Sequence, residues 1–126
     1  MIRKLSALLL FTALAFSQAV DSPATGRKAL DLLLAQKYPE LHAMFNAEMA
    51  EKFPEAALKA VGGQIAPLGS VESIGQAQVQ NAPNGFRVVA IPVRFAQAGL
   101  IFQVTLGQDG KIAGMFLRPA SPPAGQ

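Results

Sequence analysis

The chain has no cysteine. Disulfides, a thiol nucleophile and a thiolate metal site are excluded, so an apolar core alone must hold the fold. A single histidine, His42, is too few for the nitrogen-rich ligand sets of catalytic zinc. The closest carboxylates, Glu48 with Glu51 and Glu51 with Glu55, are spaced like a solvated helix face and have Lys52 beside them. No metal and no cofactor is expected. No serine stands in a Gly-x-Ser-x-Gly turn, because Gly69-Ser70 and Gly75 are wrongly spaced and Ser73 and Ser121 lack the setting; a serine-hydrolase elbow is therefore excluded. Gly62-Gly63 lacks the lysine and the strand-to-helix context of a phosphate loop. Arg87 and Arg94 lie seven apart and point to opposite faces of one expected strand, and Phe86 and Phe102 are not interleaved with basic residues. Nucleic acid is not an expected partner, since single-strand platforms need aromatics beside a positive track.

One long apolar run is present, at the N-terminus. Arg3 and Lys4 precede Leu5–Phe16, which only Ser6 and Thr12 interrupt, and Ser17-Gln18-Ala19 supplies small residues for cleavage after Ala19. Charge, apolar core and small exit residues in that order predict a signal peptide over 1–19. The run is short of the ~20 residues a spanning helix needs, so no membrane span is expected after its removal; an uncleaved anchor is the alternative. The expected location is extracytoplasmic, in a periplasm or secreted. The whole chain carries +3, but Arg3 and Lys4 leave with the signal, so eleven Lys and Arg fall to nine against eight Asp and Glu, or +1. That is too little to draw the protein to nucleic acid or anionic membrane. Residues 20–119 are expected to form a single domain, and 120–126, with two prolines and a glycine, a flexible C-terminal tail.

Helical patterning comes first. Ser22 as cap and Pro23 at the first position predict a helix to about Gln36, with Leu30, Leu33 and Leu34 on one face and Gly26 weakening its first turn. Pro39 disfavours helix at Tyr38. Pro39–Phe53 carries a stripe of Leu41, Met44, Phe45, Met49 and Phe53, with Asn46 able to split it as a local cap. A third helix starts at Pro54-Glu55 and buries Leu58, Val61, Ile65 and Leu68; Gly62-Gly63 inside it marks either a kink or a close approach.

Strand patterning follows. Val71–Gln80 is a modest strand, Asn81–Gly85 a turn, and Phe86–Phe95 the strongest strand, alternating at Val89, Ile91, Val93 and Phe95. Pro92 on the opposite face predicts an edge position or a bulge. Leu100–Leu106 and Lys111–Arg118 complete the set, the last with Ile112, Gly114 and Phe116 opposing Ala113, Met115 and Leu117. Helices first and hairpin-connected strands second predict an α+β domain: about three N-terminal helices packed on a curved, mainly antiparallel four-stranded sheet.

Ala29–Leu34, Tyr38–Asn46, Ser73-Ile74-Gly75 and above all Asp109-Gly110-Lys111-Ile112-Ala113-Gly114-Met115-Phe116-Leu117-Arg118-Pro119 resemble a family of small exported bacterial domains of unknown function. Members often stand ahead of secreted α/β-hydrolase domains. The resemblance covers about Pro23 to Pro119 and implies a cone-shaped fold similar to nuclear transport factor 2 and the cystatins. It implies no activity. The fused arrangement is not expected here, and service to a hydrolase is expected in trans.

Proton abstraction of the ketosteroid-isomerase kind occurs on folds of that shape and needs a carboxylate in an apolar pocket beside a hydrogen-bond donor. The catalytic candidates are Asp31, Tyr38 and His42, with Tyr38 four residues before His42 on a shared helix face. Asp31 lies between Leu30 and Leu32 in a helix, where a surface role is the ordinary one. Val88, Ile101 and Leu117 fall opposite the main apolar stripes, so the second sheet face is expected to hold a pocket or partner patch. The inventory favours an exported non-catalytic module that binds a small apolar ligand, a peptide or a second copy of itself as a homodimer. A proton-transfer enzyme and an accessory domain for a cell-envelope hydrolase are the alternatives.

Overall fold

The computed structural model describes residues 21–120. The expected signal peptide, its cleavage site and the tail beyond Ala120 lie outside the described residues. Among the described residues four α-helices come first: α1 (Ser22–Leu34), α2 (Tyr38–His42), α3 (Ala47–Lys52) and α4 (Glu55–Ile65). Five strands follow: β1 (Val71–Ile74), β2 (Gln78–Asn81), β3 (Arg87–Phe95), β4 (Gly99–Leu106) and β5 (Ile112–Pro119). The class is α+β, with one more helix and one more strand than the sequence pattern predicts. No helix among the described residues is long and apolar enough to cross a membrane.

Asp21, not Ser22, caps α1: its Oδ1 accepts the Ala24 N–H at 3.2 Å, and a carboxylate there also meets the positive end of the helix. Ser22 becomes the first helical residue and is buried, with its hydroxyl accepting from Arg87 Nη1 at 3.3 Å. The helix stops at Leu34, earlier than the pattern implies. Gln36 takes a left-handed φ of 63°, and the N–H groups of Lys37 and Gln36 donate to the carbonyls of Leu32 and Leu33 at 2.9 and 3.1 Å, a Schellman closure made without glycine. α2 then begins at Tyr38, the residue before Pro39. The extra helix comes from Asn46, whose Oδ1 accepts the Met49 N–H at 2.8 Å and starts α3 afresh.

The extra strand has a different cause. β1 and β2 occupy one edge position, both antiparallel to β3, with Ile74 opposite Val93 and Gln78 opposite Ala90. Gly75–Ala77 break what the alternation presents as one strand. Pro92 lies across from the break. Its carbonyl accepts the Gly75 N–H at 2.8 Å, and in an antiparallel strand the missing N–H of the same residue faces the same side. A regular edge strand would find no donor there. A Cβ on Gly75 would stand 2.7 Å from Pro92 Cγ, so the proline ring also needs a glycine opposite. Pro92 is thus on an internal strand, flanked by β4 on its other side, and the edge expectation is corrected: the neighbour breaks instead.

β4 pairs β5 from Leu100 opposite Pro119 to Thr105 opposite Gly114, then shifts so that Leu106 faces Ile112. This bulge at Ala113 turns Ile112 to the same face as Met115 and Leu117, rather than the face of Gly114 and Phe116 that strict alternation assigns. Ile112 also ties the helical layer to the sheet: its N–H donates to the Met44 carbonyl at 2.8 Å and its carbonyl accepts from Asn46 at 2.9 Å.

One core fills the space between helices and sheet. Leu30, Leu33, Leu41 and Leu58 from the helices meet Val89, Ile91, Phe102, Val104 and Leu106, each no more than 2% exposed. Gly26 serves the packing, because a Cβ there would lie 2.6 Å from Val89 Cγ1. Val61, Leu34 and Leu68 lie only half-buried at the margin.

Candidate binding surface

The three candidate residues for proton transfer are dispersed. Asp31 sits on the solvent side of α1 and pairs with Arg27 at 3.0 Å, with both side chains about half exposed (55% and 51%). His42, at the end of α2, donates from Nε2 to the Ala50 carbonyl at 3.0 Å and tilts against Phe45 with ring centres 5.4 Å apart. Phe45 in turn stacks on Phe53 at 6.0 Å, so the histidine edge locks α2 onto α3. Tyr38 lies elsewhere, its hydroxyl packed on Gly62 of α4. Of the two readings for Gly62-Gly63, a close approach accounts for Gly62, and α4 runs unbroken from Glu55 to Ile65; Gly63 has open space.

Tyr38 does line a hollow of about 280 Å³, between the ends of α1 and α4 and the strands β1 and β3, together with Leu33, Gln36, Ile65, Ser70, Val71 and Phe95. No carboxylate and no imidazole lines it. Tyr38 therefore stands in the hollow without the carboxylate or imidazole partner that the proton-transfer reading pairs it with. Among the described residues no group of three or more carboxylates and histidines is placed to hold a metal ion.

A second candidate surface is the other face of the sheet. The helices occupy the inner face, so alternate residues of the strands are left without a covering layer among the described residues. Val88, Ala90 and Pro92 on β3, with Ile101 on β4, floor a concavity of about 340 Å³ there. Gln78 and Gln80 on β2 form one wall, and Gln103 and Arg118 the other, with Arg118 Nη2 donating to Gln103 Oε1 at 3.4 Å. Short side chains on the central strand and long ones on its neighbours make a groove that runs along β3. Beside it Phe116, opposite Gln103, is 60% exposed.

Val88 and Ile101 stand where the sequence places them, on the second face. Leu117 does not: it opposes Phe102 on the inner face and packs against the core. Phe116 is the apolar residue of β5 that the outer face carries. The three glutamines escape an apolar-residue search, yet their signal is present in the period of two, as Gln78 and Gln80 on one strand and Ile101 and Gln103 on another. The groove offers amide donors and acceptors, one guanidinium and an apolar floor, with no carboxylate. That set is chemically suited to a neutral or anionic group with apolar parts, and it includes no carboxylate or imidazole.

Residues 27–115, from the first turns of α1 into β5, match the family model described as "Protein of unknown function (DUF3887)". No match is found among curated proteins.

Proposed function

The chain belongs to the DUF3887 family of proteins of unknown function, and from that premise we propose that it is a non-catalytic binding module whose site is the outer groove along β3. The observation that carries this reading is the uncovered concavity of about 340 Å³ floored by Val88, Ala90, Pro92 and Ile101 and walled by glutamines. A groove one strand wide, apolar below and amide-rich at the sides, suits an extended peptide: side chains settle on the floor, and glutamine amides meet main-chain groups. Binding is favoured over proton transfer because Asp31 and His42 take other partners and share no hollow with Tyr38.

Export belongs to the same proposal. The charged start, apolar run and Ser17-Gln18-Ala19 exit support a cleaved leader and a periplasmic or secreted site of action. A cone of the nuclear-transport-factor-2 type is our reading of the architecture; the bulge at Ala113 and the break at Gly75–Ala77 support it, being devices that bend a sheet.

The test is a titration of nitrogen-labelled protein with anilinonaphthalene sulfonate, an anion with an apolar body, and then with short blocked apolar peptides. Amide shifts should concentrate at Gln80, Val88, Ala90, Ile101 and Gln103, and Ala90→Lys should remove them without changing Tm. Shifts centred on Tyr38, Ile65 and Val71 would move the site to the inner hollow and defeat this assignment.

A further inference from the structure

The two edges of the sheet are not equivalent, and from the difference we infer that β5 is the contact strand of a two-fold homodimer. This inference does not depend on the ligand of the outer groove. The β1/β2 edge is unfit for pairing: it is cut in two by Gly75–Ala77 and carries Glu72, 4.0 Å from Arg94. Breaks and charges are what natural sheets use to keep other strands away. β5 has neither between Ala113 and Leu117.

Its free main-chain groups can be assigned. The Ala120 N–H donates to the Gly99 carbonyl at 3.0 Å, so Ala120 faces β4. Residues alternate in direction along an antiparallel strand. Arg118, Phe116 and Gly114 therefore also direct N–H and C=O toward β4, while Met115 and Leu117 direct theirs away. Among the described residues neither has a main-chain partner on that side. The free stretch is bounded at both ends. At Ile112 the main chain of Met44 and Asn46 already occupies the edge, and at Pro119 there is no N–H to give.

A second β5 fits this window in one register. With Phe116 opposite Phe116 of the second copy, Met115 falls opposite Leu117 in both directions. All four are outward-facing residues, so each such pair exchanges two hydrogen bonds and no outward N–H at Met115 or Leu117 is left over. Arg118 falls opposite Gly114, so like charges do not meet. Pro119 falls opposite Ala113, one residue short of the strand end covered by Met44 and Asn46. On the outer face the two Phe116 rings, each 60% exposed in one copy, meet as a non-hydrogen-bonded pair, where side chains approach most closely. On the inner face the half-buried Leu117 gains Met115 of the second copy as cover. An unrelated strand would satisfy the hydrogen bonds equally; only a copy of this one brings Phe to Phe, Met to Leu and Gly to Arg together.

Sedimentation equilibrium of the chain without residues 1–19 should return a concentration-dependent dimer. Phe116→Lys puts two like charges face to face in place of an aromatic pair and should weaken it by at least ~10-fold in Kd, with Tm at high dilution unchanged, because the side chain faces away from the core. Phe116→Cys offers an independent reading. The chain has no other cysteine, and a non-hydrogen-bonded cross-strand pair is close enough for a disulfide. Mild oxidation should link that variant into a dimer, whereas Gln80→Cys on the far strand should stay unlinked. A monomer at every concentration overturns the inference. So does a dimer that Ala90→Lys breaks and Phe116→Lys does not, which would place the contact on the sheet face.

Discussion

The two faces of this sheet are built from the same strands and differ by a single residue of offset. On β3 the inner set is Val89, Ile91, Val93 and Phe95, each at most 3% exposed. The outer set is Val88, Ala90, Pro92 and Arg94, half-buried or exposed. Inside, Phe102 and the helix leucines fill the centre, and the hollow beside Tyr38 lies at its margin. No buried side-chain nitrogen or oxygen among the described residues lacks a hydrogen-bond partner. Outside, short residues on the central strand and glutamines on its neighbours leave relief that no helix among the described residues covers. The contrast teaches that the described helices cover one face of the sheet and leave the other bare, and the proposed site lies on the bare face.

Neighbouring residues on β4 give the largest expected effect. Phe102→Ala empties a fully buried site and should cost about 3–5 kcal/mol in urea unfolding. Ile101→Ala, one residue away on the outer face, should cost under ~1 kcal/mol. Equal costs would mean that the outer face is covered in solution, and the two-face contrast would fail. Next in size is the contact that closes the inner hollow. Gly62→Val drives a side chain into the Tyr38 hydroxyl and should destabilise by about 1–3 kcal/mol. Adding Tyr38→Ala in the same molecule should recover part of that loss, a coupling that a double-mutant cycle reads directly. Smaller again is Asn46→Ala, which removes the cap of α3 and should cost about 1 kcal/mol by thermal unfolding.

What the sequence discloses divides along the same line. Local signals were legible: the Asn46 cap, the Asn84-Gly85 turn with both residues at positive φ (65° and 79°), and the inner stripe of β3. Features decided by a neighbouring strand were not. The break at Gly75–Ala77 follows from Pro92 across the sheet, and nothing within Val71–Gln80 states it except one glycine. The outer position of Phe116 follows from a bulge at Ala113, which reverses the faces assigned by simple alternation to Ile112. The groove was half legible: Val88 and Ile101 could be placed by period alone, but its walls are glutamines, which alternation reads as ordinary solvent-facing residues. Among the catalytic candidates, sequence spacing gave Tyr38 and His42 one helix face, whereas their contacts separate them, Tyr38 going to α4 and His42 to α3.

The smallest expected effect is also the sharpest check on which face acts. Asp31→Asn removes one partner of an exposed pair at i, i+4 on α1, with 3.0 Å between Arg27 Nε and the carboxylate. Such pairs contribute a few tenths of a kcal/mol because water and salt screen them, so Tm should move by no more than about 1–3 °C. Binding of an apolar probe to the outer groove should not change at all, since Asp31 lines no part of it. A large loss of either quantity would mean that the carboxylate meets a partner on the helical side. The surface above α1, not the bare face of the sheet, would then be the place to look for chemistry.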